Sequence, residues 1–476
     1  MLGIGPKICA LGGLLLLLLQ LSCSTPEAPK ATNFHQCMDC HEGIEPMGRG
    51  HAFECKTCHL EKAYQTTPVL KNHDPVIRNP SDPAYVSLFC GGCHKKEITH
   101  MHTSLHATMA GVINQTRYLW GAQDDAFTPL YSANHALRLL PKSPPHPDGP
   151  AQLVDDFLRR KCLRCHLQTR GARAKGLYRA SGCAACHVLY NNEGRYEGTD
   201  KAISKDRAGY PAVHRFTKHI PNTQCLHCHN HNHVGADYEG LFEHDYSRIY
   251  RSRTAAGDPL PRLYGMDHHH LARDIHAEKG MWCIDCHRQK EIMGDGKTYA
   301  YSHAVPMITC QDCHAGFFNL EPNRELKSIK KQSDTFTFHS RHTGKTCPLP
   351  LFSRQSLNHK ITGHQRVRCS ACHAQWSFQD YGLSVMREDH AGYDKWRPLT
   401  VQGDPYVKDF LERQLGRPRA DPPVSPDWID GMLKKGLWYS GWRFRRWEWM
   451  PLGLDQDQRY AVMRPKYQYL VSYIDA

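Results

Sequence analysis

Long apolar runs are missing from this chain apart from one near the start. That run, Ile8 to Leu21, covers about 14 residues, short of the roughly 20 that a membrane-spanning helix needs. Cysteines free of a fixed local pattern are also scarce, because only three of the 21 stand outside a single repeated five-residue unit. A disulfide scaffold is thereby disfavoured, since such scaffolds are short and do not space their cysteines identically. An acidic excess is absent as well, with 60 Lys and Arg against 47 Asp and Glu for a formal net charge of +13. Tryptophan is rare before residue 374, with seven of the nine lying between Trp376 and Trp449. The segment "TGKT" at 343–346 lacks the upstream glycine of a phosphate loop, so it carries no nucleotide-binding signal.

The apolar run follows a single Lys7 and ends at Leu21-Ser22-Cys23. A short apolar core of this kind reads as a signal peptide over residues 1–22. Ser22-Cys23 resembles a bacterial lipoprotein cleavage site, although Gln20 stands where such sites usually carry Leu. The expectation is export, with Cys23 acylated as a lipid anchor; the alternative is an ordinary secretory signal cleaved nearby.

What the sequence has in abundance is Cys-x-x-Cys-His. The unit occurs nine times and uses 18 cysteines. The copies are Cys37-Met-Asp-Cys40-His41, Cys55-Lys-Thr-Cys58-His59, Cys90-Gly-Gly-Cys93-His94, Cys162-Leu-Arg-Cys165-His166 and Cys183-Ala-Ala-Cys186-His187, then Cys225-Leu-His-Cys228-His229, Cys283-Ile-Asp-Cys286-His287, Cys310-Gln-Asp-Cys313-His314 and Cys369-Ser-Ala-Cys372-His373. Structural zinc would use CxxC in pairs and does not require the following His. A thioredoxin-like CxxC would occur once, beside a βαβ pattern. Covalent haem explains every position: two thiols reach the two vinyl groups of one porphyrin, and the adjacent His lies under the iron as proximal ligand. Nine haems c are expected.

On these motifs the chain resembles the multihaem c-type cytochromes over residues 35–373. Two longer stretches, "DIHAEKGMWCIDCHRQKEIMGDG" (274–296) and "HQRVRCSACHAQWSFQDYG" (364–382), resemble the outer-membrane electron-conduit cytochromes of metal-respiring bacteria. The resemblance implies a multihaem cytochrome c fold whose core is filled by haem, with little regular secondary structure, scattered α-helices and a small β-rich C-terminal element. It also implies a second His on most irons. Twenty-four of the 33 histidines lie outside the nine motif positions, more than nine distal positions need. His51, His276, His303 and His364 precede motifs closely, while His73, His106, His135, His214 and His359 sit in the gaps. These nine are the distal candidates. His100 and His102 compete with His106, the run His268-His269-His270 is open, and His227, His231 and His233 are ligands, propionate partners or ordinary core residues.

The motifs fall into three groups of three. A proline-rich stretch, "PKSPPHPDGP" at 141–150, separates the first two, and "GDPLP" at 257–261 is a weaker break. The expected organisation is a tri-haem module at 23–140, the linker 141–150, a second module at 151–260, a third at 261–373 and a haem-free, Trp-rich region at 374–476. About 50 residues per haem leave too little chain for three separate apolar cores. Within "AQLVDDFLRRKCLRCH" (151–166), Val154, Phe157 and Leu158 have the spacing of an amphipathic helix. The stretch "SLHATMAGVINQTRYLW" (104–120) reads as a second helix, whose Asn114 sequon is a coincidence. "GWRFRRWEW" and "RYAVMRPKYQYLVSYI" around the turn "DQDQ" (455–458) read as strands. Their aromatics are expected to pack the strands and cover an outer haem, a docking surface being the alternative. Cys347, in "GKTCPLP", is expected to be a buried thiol.

Basic charge here balances cofactor. With propionates on nine haems, the protein would run from roughly +3 oxidised to roughly −6 reduced, so its high pI does not argue for nucleic acid or another acidic partner. The leading expectation is electron transfer without substrate chemistry, in or beyond the outer membrane on its periplasmic or external face. Its partners would be other cytochromes or redox proteins, the membrane through the lipid anchor and, by analogy, an outer-membrane β-barrel porin. The alternatives are a multihaem enzyme with one open iron acting on nitrogen or sulfur oxyanions, and a subunit of a cytochrome filament.

Overall fold

The computed structural model describes residues 37–64, 73–231, 235–244, 254–258, 263–265, 267–318, 320–353, 356–373, 380–395, 404–445, 452–462 and 470–473. The signal segment and Cys23 lie outside these residues. Regular structure is sparse and local: many helices are a single turn, and the sheets have two or three strands. Among the described residues no helix is long and apolar enough to cross a membrane.

Half of the single-turn α-helices are the motifs themselves. Cys37–Cys40, Cys55–His59, Ala184–His187, Cys283–Cys286, Cys310–His314 and Ser370–His373 are short α-helices. Two of these turns are fixed by the Asp inside the motif. Asp285 Oδ2 accepts the Trp282 N–H at 2.9 Å, and Asp312 Oδ2 accepts the Thr309 N–H at 2.8 Å. Each carboxylate closes the open N-terminal end of a turn too short to hold itself. The fourth motif is different, because Cys162–Cys165 is a 3₁₀ turn.

The longest helix leading into a motif is α1, Gly149–Arg160, with proline in its first turn. Its Val154, Phe157 and Leu158 are buried, as their spacing predicts, but so are Asp155, Asp156, Arg159 and Arg160. The polar face is covered because the C-terminal region lies on it. Three strands there, β1 (Asp380–Glu388), β2 (Leu437–Arg445) and β3 (Leu470–Tyr473), form a sheet in the order β2-β1-β3, with β2 antiparallel and β3 parallel to β1. Trp438 of β2 stacks edge-on against Phe157 at 5.1 Å and donates from Nε1 to Asp156 Oδ2 at 2.7 Å. Arg387 of β1 reaches the same carboxylate at 3.0 Å. Helix α2, Pro405–Gln414, closes the sheet's other side through Phe410, Leu411, Leu437 and Tyr439. A two-stranded hairpin, Leu452–Leu454 with Tyr460–Val462, surrounds the polar turn at 455–458.

The stretch 104–120 is two helices, Leu105–Thr108 and Ala110–Leu119, rather than one. Met109 between them has φ of 53°, a left-handed conformation that ends one helix and redirects the next. Asn114 is wholly used inside the fold: its Nδ2 donates to Ala110 O and Tyr131 O, and its Oδ1 accepts from Leu130 and Tyr131 N–H. Cys347 is half-buried rather than enclosed, on the edge strand Thr346–Pro348.

Candidate functional site

Six motif histidines face a second histidine across a nearly constant gap. The ring centroids are 5.8 Å apart for His41 and His73, 6.0 Å for His94 and His51, and 6.1 Å for His59 and His214. They are 5.9 Å apart for His229 and His106, 6.0 Å for His314 and His276, and 6.3 Å for His373 and His359. Direct stacking would bring rings closer. Two imidazoles bound through Nε2 to one metal, at about 2 Å per bond and about 1.1 Å from nitrogen to ring centre, place their centroids about 6 Å apart. The residues therefore fit a haem iron held between paired imidazoles.

Hydrogen bonds at the other ring nitrogen point the same way. Nδ1 of His59 donates to Ile77 O at 2.8 Å, that of His187 to Thr217 O at 2.7 Å and that of His314 to Pro350 O at 2.7 Å. Among the facing histidines, Nδ1 of His106 donates to Ile292 O at 3.0 Å, that of His214 to Glu45 O at 3.1 Å and that of His359 to Ser353 O at 2.8 Å. A carbonyl only accepts, so Nδ1 carries the hydrogen and the lone pair falls on Nε2, the nitrogen a metal needs. Carboxylates play this part at His41 (Asp200, 2.6 Å), His287 (Glu291, 2.7 Å) and His276 (Asp274, 2.8 Å). Burial, then the neighbouring His229, pulls His106 down to about 4, keeping that imidazole neutral. His73 holds a φ of 62°, a conformation costly for a side chain with a Cβ.

The cysteines order the motifs in space. Cys55 lies beside Cys37, bringing the second motif to the first. Cys90 lies near Cys58 and Cys183, bringing the third motif to the second and fifth. Cys186 is likewise near Cys225 and Cys228, Cys225 lies beside Cys283, Cys286 is near Cys313, and Cys310 lies beside Cys369. The attachment points thus run first, second, third, fifth, sixth, seventh, eighth, ninth. The fourth hangs off the sixth, where Cys165 and Cys228 each direct Sγ at the other's carbonyl oxygen at 3.9 Å. In a haem-loaded protein these sulfurs would be thioethers without hydrogens, so the contacts report proximity alone.

The fifth motif is seated by tight backbone contact. Gly182, φ 64°, has no room for a Cβ, which would stand 1.8 Å from Ser81 O, and Ala184 N–H donates to Ser81 Oγ at 2.9 Å.

Of the nine distal candidates, His51, His73, His106, His214, His276 and His359 stand opposite motif histidines. His135 and His303 are exposed and His364 is half-buried, and among the described residues no ring faces them. His227 is occupied at both nitrogens, by Gly176 O at 2.7 Å and Tyr190 O at 3.2 Å, which makes it a core residue. His231 Nε2 meets Arg164 Nη2 at 2.9 Å. His233 and the side chain of His269 lie outside the described residues.

One pair escapes sequence reasoning altogether. His219 and His342 stand 5.7 Å apart, and neither follows a CxxC. His342 stacks on Trp282, and Asn222 Oδ1 accepts the Cys283 N–H at 2.7 Å, so the pair sits beside the seventh motif. No spacing rule links residue 219 to residue 342; the fold alone brings them together. Comparison with family models, curated proteins and solved structures finds no match to this chain.

Proposed function

We propose that this protein is a nine-haem c-type cytochrome that passes electrons along a chain of mostly bis-histidine haems. The observation that carries the reading is the set of six histidine pairs, each setting a motif histidine opposite another histidine at the separation one iron requires. Cys37, Cys40, Cys55, Cys58, Cys90, Cys93, Cys162, Cys165, Cys183, Cys186, Cys225, Cys228, Cys283, Cys286, Cys310, Cys313, Cys369 and Cys372 would hold the rings. Haem supplies one-electron chemistry when bound; the chain's own residues fix the axial nitrogens, their tautomers and the order of attachment points. His219 and His342 offer the seventh motif two further imidazoles.

Two imidazoles close an iron to substrate and favour a low potential, so the paired centres suit transfer rather than catalysis. An exported, lipid-anchored cytochrome of this kind would serve respiration at or beyond the outer membrane, with other redox proteins, and by analogy a β-barrel porin, as partners. The test is a haem count by mass on the denatured protein, with electron paramagnetic resonance of the oxidised holoprotein. Nine covalent haems with predominantly low-spin ferric signals are expected. A chain with no covalent haem, or one with mostly high-spin irons, would overturn the reading.

A further inference from the structure

Exposed cations gather beside the seventh motif, brought there from three separate stretches of chain. Lys218 and Arg341 lie near His342, whose ring stands 5.7 Å from that of His219 and stacks on Trp282 with the planes 11° apart. Trp282 directly precedes Cys283, the first cysteine of the motif. Lys345 joins them: a Cβ at Gly280 would stand 2.7 Å from its Nζ, so that side chain lies across the backbone next to Lys279. Lys218, Lys279, Arg341 and Lys345 are all exposed.

The loop that carries Arg341 and Lys345 is pinned to the motif. Ser340 Oγ donates to Asp285 Oδ2 at 3.0 Å and accepts from the His342 and Thr343 N–H groups at 3.3 and 3.1 Å. Asp285 Oδ2 also takes the Trp282 N–H at 2.9 Å, so this carboxylate is spent on a hydroxyl and the backbone rather than on a cation. Among the described residues no ion pair engages Lys218, Lys279, Arg341 or Lys345, and Glu278 is the one exposed carboxylate on these stretches. Propionates would offset the charge of the whole chain, but this excess is local and sits on a fixed frame. Such a patch steers and orients an acidic surface.

We propose that this patch docks an acidic redox protein, and that electrons enter or leave the line there, at the seventh motif. The motif suits a haem, since His287 places Nδ1 on Glu291 at 2.7 Å and leaves Nε2 for a metal. An acidic electron carrier is favoured over an anionic lipid surface because the cations flank Trp282, whose next residue is a motif cysteine. The proposal rests on the nine-haem reading, and its test scores the two separately. The probe is reduced plant-type ferredoxin, a small acidic one-electron carrier, mixed with the oxidised holoprotein. A carbodiimide, which joins a lysine amine directly to a touching carboxylate, should cross-link it at Lys218, Lys279 or Lys345. Stopped-flow absorbance should show haem reduction slowing about tenfold as salt rises to about 0.5 M.

The triple variant Lys218→Glu, Arg341→Glu, Lys345→Glu should lose the cross-links and react with ferredoxin about tenfold more slowly at low salt. Its reduction by methyl viologen radical, which carries no negative charge, should be unchanged. Undiminished ferredoxin rates in the variant, or equal slowing with both reductants, would overturn the proposal. So would binding to phosphatidylglycerol vesicles that the variant loses, with no cross-link to ferredoxin. A shift in one haem potential with ferredoxin kinetics unmoved would assign the cations to that haem's own propionates and overturn it too. Peptide mapping keeps the two readings apart. Cross-links beside a bare Cys283–Cys286 peptide would sink the nine-haem reading while the docking surface stands; a loaded peptide without cross-links would do the reverse.

Discussion

At the scale of single residues, the informative atom is Nδ1. A histidine that donates from Nδ1 to a carbonyl is a neutral ligand waiting at Nε2, and a carboxylate in the same place makes the imidazole a stronger electron donor. The centres that use Asp200, Glu291 and Asp274 should therefore sit lower in potential than those that use carbonyls. Glu291→Gln should raise one haem by tens of millivolts in a spectroelectrochemical titration, with the others unmoved. His106→Ala, which removes the ring facing His229, should turn one low-spin iron high-spin without losing a covalent haem. Paramagnetic resonance read beside the haem count checks it. The nine motif histidines were legible from spacing, since each directly follows its pair of cysteines; their role at an iron belongs to the proposal. The facing histidines were legible only as a surplus: His73 and His214 reach their partners through folded backbone, not through any local pattern.

At the scale of elements, helix α1 is the joint between the central motifs and the C-terminal region. Asp156 there is nearly enclosed and shared by Arg160, Arg387 and Trp438. Removing one member of a buried ionic set leaves the rest uncompensated. Asp156→Ala should destabilise the holoprotein by about 3–5 kcal/mol, measured by chemical denaturation followed by circular dichroism. Asp427, on the same seam, is buried, which alone would raise it, but hydrogen bonds from Arg159, Lys434 and the Ile429 N–H hold it below its ordinary 3.8. A carboxylate depressed in the folded state adds stability above its unfolded value and loses it as pH falls through the folded one. The acid limb of thermal stability below about pH 4 should accordingly flatten in Asp427→Asn. Val154, Phe157 and Leu158 showed the apolar stripe of α1 in advance. The burial of its polar face could not be read from the helix, because the covering groups arrive more than 200 residues later, from Arg387, Asp427 and Trp438.

At the scale of the whole molecule, the motifs form a line with one side arm. The count of nine was plain in the sequence, but the order was not: the fourth motif precedes the fifth in the chain, yet it is the fifth that bridges third and sixth. If electrons follow the line, the sixth motif is the junction. Replacing Cys225 and Cys228 by alanine should slow transfer across the protein on the order of tenfold or more, whereas the same change at Cys162 and Cys165 should leave it within about twofold. Flash reduction at one end and absorbance at the other would read the difference. Equal slowing in both variants would remove the side arm from the picture.

Each facing pair also closes a loop in the polypeptide. His359 and His373 enclose only the segment between them, while His59 and His214 span 155 residues and His106 and His229 span 123. Once metal is bound, such a pair restrains the unfolded chain as a cross-link does, and a loop of about 100 residues is worth about 4–5 kcal/mol in that model. Iron would then fasten the first third of the chain to the middle as a set of staples. Strong exogenous ligands that displace histidine should loosen the long loops before the short one.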